Sequence, residues 1–316
     1  PLLTFDERQA SGNCYPYQKD VTQNNAAKYA CVTKGVHLGQ GTVLSDSVGM
    51  AGGAIDAVSC SISLEQNQIE RNRAKGQGGA IQLGTGSKLL VSSSTTFLAN
   101  TAGTDGGAIA CKTCDNMHLK YGSLFSANVA GQSGGAMSVL NPVSKTTLSS
   151  NSTFRENRAE KGNGGAVHVL DSDSTGVWTS SGDTFESNTV MAGSGGAIAS
   201  FGTAVAFSSQ SACKDNKALK GGGGCLLWEP NAAHLKDSAW GKFAPVVSNL
   251  TVIQENNALY GISFATPGAS LRIVNTTKMF VTNDKNMLFP RYPFVEILDY
   301  YGSATQGRIS KDIDVV

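Results

Sequence analysis

The sequence lacks a long apolar run, a dominant charge and a rich supply of proline or aromatic residues. No stretch approaches the ~18 consecutive apolar residues of a membrane-spanning helix. Lys and Arg number 25 against 24 Asp and Glu, a net charge of +1. That balance leaves no basic stripe for a nucleic acid and no electrostatic membrane anchor. Proline occurs only 8 times and aromatics make up 7% of the 316 residues, so the core must rest on Val, Ile, Leu, Ala and a few Phe. There is no HExxH, no Ser/His/Asp arrangement and no phosphate loop, since the Gly-rich stretches lack a following Lys-Ser/Thr and helix. A double CxxC zinc pattern is also missing, because Cys111-Lys-Thr-Cys114 stands alone. The start at Pro1, without an initiator Met, reads as a processed chain or an excised piece.

Glycine, by contrast, is abundant at 37 residues, and it is periodic. Low-complexity disorder would raise Gly and Pro together and keep no period. The anchor recurs at Gly52-Gly53-Ala54-Ile55, Gly78-Gly79-Ala80-Ile81 and Gly106-Gly107-Ala108-Ile109. It continues at Gly134-Gly135-Ala136-Met137, Gly164-Gly165-Ala166-Val167 and Gly195-Gly196-Ala197-Ile198, with weaker copies at Gly223-Gly224-Cys225 and Tyr260-Gly261-Ile262. Spacings between the second glycines are 26, 28, 28, 30, 31, 28 and 37 residues. A second motif sets its Asn seven or eight residues before the second glycine. It reads Phe97-Leu-Ala-Asn100, Phe125-Ser-Ala-Asn128, Phe154-Arg-Glu-Asn157 and Phe185-Glu-Ser-Asn188, with variants ending at Asn72, Asn216 and Asn256. Two residues after each Asn comes a small one, such as Ala102 or Ala130.

Within a repeat the period is two, as in Ala166-Val167-His168-Val169, and helical spacing is sustained nowhere. Self-similarity at this period predicts an all-β, right-handed, single-stranded parallel β-helix of about eight to nine coils of ~28 residues. A propeller would need periods of ~40 or more. One coil fits three short strands and three turns, and coils stacked at ~4.8 Å make a rod of roughly 40 Å. Phe and Asn three apart face opposite sides of a straight strand, so a bend between them is needed to turn both inward. The Asn then stacks from coil to coil and satisfies buried backbone groups. The paired glycines supply the other tight corner.

The pairing of GGA[I/V/M] with FxxN resembles the repeat of chlamydial polymorphic outer-membrane proteins. It is also similar to β-helix repeats in large secreted proteins of algae, oomycetes and other microbial eukaryotes. The resemblance spans roughly residues 43 to 264. It implies a right-handed parallel β-helix used in adhesion or surface display, and no catalytic residue. The chlamydial proteins end in a membrane-inserting β-barrel, and nothing like one is present in this sequence. The segment Phe294 to Gly302 resembles the start of the β-rich module that follows such β-helices in eukaryotic secreted proteins.

Three segments are expected: an N-terminal cap over 1–40, repeats over 41–289, and a C-terminal β-extension or the start of a β-rich module over 290–316. The extension forms a hairpin or an extended arm, and an end of the rod that pairs with another copy would build a head-to-tail filament. Seven cysteines include the candidate disulfides Cys14–Cys31, Cys111–Cys114 and Cys213–Cys225. Cys213 takes the Phe position and Cys225 the Ile position of one repeat, so both should point inward, as two buried thiols or one disulfide. Cys60 is left over, and an odd total leaves at least one thiol free or intermolecular. Sequons at Asn151, Asn249 and Asn275, together with the cysteines, favour an exported, oxidising setting. The longest insertion, Trp228 to Val247, carries Trp228, Trp240 and Phe243 as a candidate binding loop or a cover over the rod's side.

Many parallel β-helices process acidic polysaccharides, which takes clustered carboxylates or a Ca²⁺ site with a nearby base. Here Glu70, Glu156, Glu186, Asp215 and Glu255 fall one per coil, as a solvated charged edge, and Asp171 and Asp173 lie on a turn. The four histidines show no ligand spacing, and His168 falls on an outward strand position. The expectation is a non-enzymatic extracellular structural or adhesive glycoprotein without cofactor or metal. Its partners would be further copies, another extracellular structural protein, or glycans. The alternative is a polysaccharide-active lyase or glycoside hydrolase, recognisable by carboxylates of neighbouring coils converging in one groove.

Overall fold

The computed structural model describes residues 14–15, 29–32, 35–143, 146–172, 176–208, 210–235, 244–247, 250–274 and 294–305. They form a parallel β-solenoid built from four long sheets, here called A to D, of ten, seven, eight and eight strands. One coil shows the plan. Ile81–Leu83 lies in sheet A, Lys88–Val91 in B, Thr96–Leu98 in C and Thr101–Ala102 in D, before the next glycine corner returns to A at Ile109–Lys112. Strands one period apart pair in parallel and in register. The residue after each Gly-Gly-Ala therefore stacks on its equivalent, from Ile55 through Ile81, Ile109, Met137, Val167 and Ile198 to Leu226. Four strands per coil replace the expected three, because the backbone turns sharply just before each Asn and starts the two-residue strand of sheet D.

That turn has a defined cause. The residue immediately before the Asn is left-handed in every copy: Arg71, Ala99, Ala127, Glu156, Ser187, Asp215 and Glu255 have φ between 52° and 56°. A non-glycine residue there costs ~1–2 kcal/mol, so the strain must be offset by what it positions. The glycine corner uses both of its residues differently. Gly134 has φ 67°, while a Cβ on Gly135 would lie 2.0 Å from the Gly165 carbonyl oxygen of the next coil. The first glycine turns the chain, and the second lets successive coils close to strand-pairing distance.

Inside, one continuous apolar core runs the length of the array. Phe97, Phe125, Phe154 and Phe185 stack with ring centroids 4.6, 4.8 and 5.0 Å apart and planes within 7° of parallel. Cys213 continues that row, paired with Phe185, and bonds to Cys225, which stands in the row of the anchor alanines and not at the expected Ile position, because Leu226 is the residue that pairs with Ile198. The outer side of sheet A is covered as well. Ala110, Ser138, His168 and Ala199 are all buried, and the glycine corner folds back over the strand so that a Cβ on Gly195 would meet the Ala199 methyl at 2.9 Å. His168 is therefore outward but buried, with Phe201 edge-on at 5.6 Å, and desolvation holds its imidazole down to about 4.

The boundaries differ from the expected 1–40, 41–289 and 290–316. Parallel pairing already begins with Tyr29–Val32 on Ile55–Val58 and Gly35–Leu38 on Ser61–Leu64, inside the expected cap. An antiparallel strand, Cys14–Tyr15, pairs outside Tyr29–Val32 at that edge of sheet A. The last parallel strand is Phe264–Ala265; beyond it Gly268–Val274 pairs antiparallel with Phe294–Asp299. The extension is thus a hairpin whose first strand starts at 268. Helix is confined, among the described residues, to a single turn at Ala232–Leu235 in the long insertion.

Candidate functional site

The Asn residues form one hydrogen-bonded column. Asn72, Asn100, Asn128, Asn157, Asn188, Asn216 and Asn256 are all nearly or fully buried. From Asn100 onward, each side-chain oxygen accepts from the backbone N–H and the side-chain amide of the preceding Asn at 2.9 to 3.1 Å, as Asn128 does from Asn100 at 2.9 and 3.0 Å, while that of Asn72 accepts from the Ser47 N–H at 3.1 Å. Each amide also donates to the carbonyl of the Phe-row residue one coil back, as Asn128 does to Phe97 and Asn157 to Phe125, both at 2.9 Å. Fully satisfied buried networks of this kind rigidify a core. This column is what holds the left-handed residue beside it in place.

A second polar column lines the corner between sheets B and C, with Asn67, Thr95, Ser123, Ser152, Asp183 and Ser211 all buried. Asp183 is the ionisable member. It accepts from Ser152 N–H and Ser180 Oγ–H, both at 2.8 Å, yet burial pushes its carboxyl up to about 6.

The remaining candidate residues scatter. Cys111–Cys114 and Cys213–Cys225 are disulfides, with Cα atoms 5.5 and 5.9 Å apart. Cys60 is disulfide-bonded too, to a cysteine other than these four, which corrects its reading as the left-over thiol. The backbones of Cys14 and Cys31 face each other across an antiparallel pair, and their side chains lie outside the described residues. Trp228 is not in a loop. It is an inward residue of the sheet A strand Leu226–Glu229, fully buried, and its indole N–H donates to the Thr203 carbonyl at 3.1 Å. Trp240 and Phe243, like Asn249, Asn275 and Asp173, lie outside the described residues. Asp171 is buried beneath the insertion, where Asn231 Nδ2 donates to its carbonyl oxygen at 3.1 Å, so the open turn expected there is covered. Asn151 is exposed at a left-handed corner. The turn acids meet bases of their own or the adjoining coil: Arg71 holds Asp46 at 2.9 Å and Glu70 at 2.6 Å, Lys214 holds Glu186 at 2.9 Å, and Lys217 holds Asp215 at 3.0 Å. Among the described residues no three His, Cys, Asp or Glu side chains converge as a metal site would need. No described helix is long and apolar enough to cross a membrane.

What does converge was not visible residue by residue. An open groove of about 520 Å³ runs across the outer face of sheet B. Register places Gly35, Ser61, Lys88 and Asn116 in one outward row. His37, Ser63, Leu90 and His118 form the parallel row two residues on. Lys120 closes the end. Leu90 is 38% exposed at the centre, while its neighbours Leu89 and Val91 point into the core. Among the described residues no acidic side chain lines the groove, and the Asp115 carboxylate lies 4.0 Å from Lys88. Burial, then the Lys120 charge, lowers the His118 pKa. His37 and His118 are 81 residues apart in sequence, hence without ligand spacing, but only three rungs apart in space, about 14 Å at ~4.8 Å per rung. The signal that could have found them is the repeat itself: Lys88 to Asn116 and Leu90 to His118 are each one 28-residue period.

Residues 94–112 match the family model of the Chlamydia polymorphic membrane protein repeat. The match takes in Phe97 to Asn100 and Gly106 to Ile109, both motifs of one coil, and the other copies stack in register on it. No curated protein and no solved structure matches the chain. The array is a β-solenoid in which one coil matches that repeat, and repeat and fold together fit an extracellular surface protein.

Proposed function

We propose that the chain is a rigid, non-enzymatic rod of an extracellular surface, structural and adhesive in role, which joins a further copy of itself through its C-terminal end. The observation that carries this reading is the contrast between the two ends of the core. In the first coil Leu44, which begins the Phe row, is fully buried. In the last coil Ile253 occupies the same row, paired with Cys213, and is 41% exposed. Leu259 and Ile262, later in the same coil, are 47% and 66% exposed. Leu250–Gln254 and Asn257–Tyr260 are, among the described residues, the final strands of sheets C and D. An apolar, unpaired strand end of this kind invites pairing.

The described residues of the hairpin that contact this end do so on its other side. Tyr301 lies 6.0 Å from Phe264 and donates its hydroxyl to the Pro245 carbonyl at 3.2 Å, over sheet A and the insertion. A contact between unlike ends is heterologous and propagates into a filament. Light scattering after size exclusion, over a wide concentration range, tests this. Mass should rise with concentration, and Ile253→Asp with Ile262→Asp should hold the chain monomeric. A strictly monomeric parent at every concentration would overturn the reading.

A further inference from the structure

In the groove on sheet B, cationic, polar and apolar side chains of several coils face outward together. Its chemistry can be read from the rows. Lys88 and Lys120 supply fixed positive charge, Ser63, Asn116 and the imidazoles of His37 and His118 supply hydrogen-bonding groups, and Leu90 supplies an apolar platform between them. The rows repeat every rung, at about 4.8 Å. That is close to the length of one hexose unit in an extended sugar chain, so a linear glycan lying across the strands presents one ring per rung.

We propose that this groove binds a linear acidic glycan, a sugar chain bearing carboxylate or sulfate groups. The absence of any acid among the lining residues and the presence of two lysines set the charge of the ligand. A single nucleic-acid strand is disfavoured because no Phe, Tyr or Trp ring lines the groove as a broad platform for its bases. An extended peptide is disfavoured because it adds to a sheet edge, and the central strands of the groove, Ser61–Leu64 and Lys88–Val91, are already paired on both sides. Sugar rings suit the groove better: their C–H faces pack on Leu90, their hydroxyls bond to Ser63 and Asn116, and their anionic groups reach Lys88 and Lys120. The proposal deepens the adhesive part of the reading above and is independent of assembly through the C-terminal end.

The test is calorimetric titration of the purified full chain at low ionic strength. The probes are an octagalacturonate, a heparin octasaccharide and, as the uncharged control, a cello-oligosaccharide of similar length. At least one acidic probe should bind, and the cello-oligosaccharide should bind at least tenfold more weakly. Lys88→Gln with Lys120→Gln should weaken acidic-probe binding at least tenfold, with an unchanged melting temperature because both side chains face outward. Leu90→Asp should abolish it. The proposal is overturned if neither acidic probe binds at millimolar concentration, if the neutral probe binds as well, or if the double variant binds like the parent. Light scattering on the same samples reads assembly separately, so loss of one activity does not mask the other.

Discussion

Replacing Asn128 by Ala takes one rung out of the middle of the Asn column, and the structure gives its size. Four side-chain hydrogen bonds vanish: two accepted from Asn100, one donated to Phe97 and one donated to Asn157. The Asn100 backbone N–H and the Phe97 carbonyl lose these partners in a site with no exposed surface. Each buried group left unsatisfied costs about 1–3 kcal/mol, so the loss should be about 3–6 kcal/mol, at the upper end for a single substitution. The cost is raised further because Ala127 stays left-handed (φ 54°) without the network that holds it. Urea unfolding followed by circular dichroism measures it, with Asn151→Ala as the control. Asn151 is exposed at another left-handed corner, and its loss should cost at most about 1 kcal/mol, the difference between Asn and Ala in that backbone. An Asn128→Ala loss below about 1 kcal/mol would refute the reasoning, since the column would then be ornamental to stability.

Further outcomes follow from the same geometry. Gly135→Ala puts a methyl 2.0 Å from the Gly165 oxygen and 2.4 Å from the Arg158 nitrogen, both backbone, so it should cost more than about 4 kcal/mol or prevent folding. Gly39→Ala, with nothing within 4 Å, should leave the melting curve unchanged within about 0.5 kcal/mol. Asp183 has a folded-state pKa of about 6 against 3.8 in the open chain, so its contribution is fully present below about pH 4 and is lost as pH rises through 6. Asp183→Asn should therefore stabilise the chain by about 2–3 kcal/mol at pH 7 and by nothing at pH 3.5, as read from paired urea titrations. Opening Cys213–Cys225 by a double Ser substitution should cost about 2–4 kcal/mol, seen as a lower melting temperature under non-reducing conditions. Peptide mapping without reduction should recover Cys60 in a cross-linked peptide and one free thiol in the chain.

The fold was legible because its determinants are local and repeated. Two glycines, one Asn and one Phe per ~28 residues specify the corners and the core rows, and the register of the sheets follows their phase. The fourth strand of each coil was not legible, because the turn before Asn uses Arg, Ala, Glu, Ser or Asp, and none of these signals a left-handed backbone in sequence. Trp228 was misplaced for a related reason: it follows a degenerate anchor, and only the pairing of Leu226 with Ile198 shows that Trp228 points inward. His168 was read correctly as facing away from the core, but burial by the folded-back glycine corner has no signature in alternation. The groove escaped notice because its histidines belong to different coils, and a site assembled across rungs has no motif along the chain.

The proposed joining of these solenoids end to end on an extracellular surface can be seen by electron microscopy of native material from the producing cells, labelled with an antibody to the chain. Narrow rods of uniform width on the cell surface, linked end to end into filaments, are expected. Label confined to the cell interior, or rods that stay single and unlinked on the surface, would contradict it.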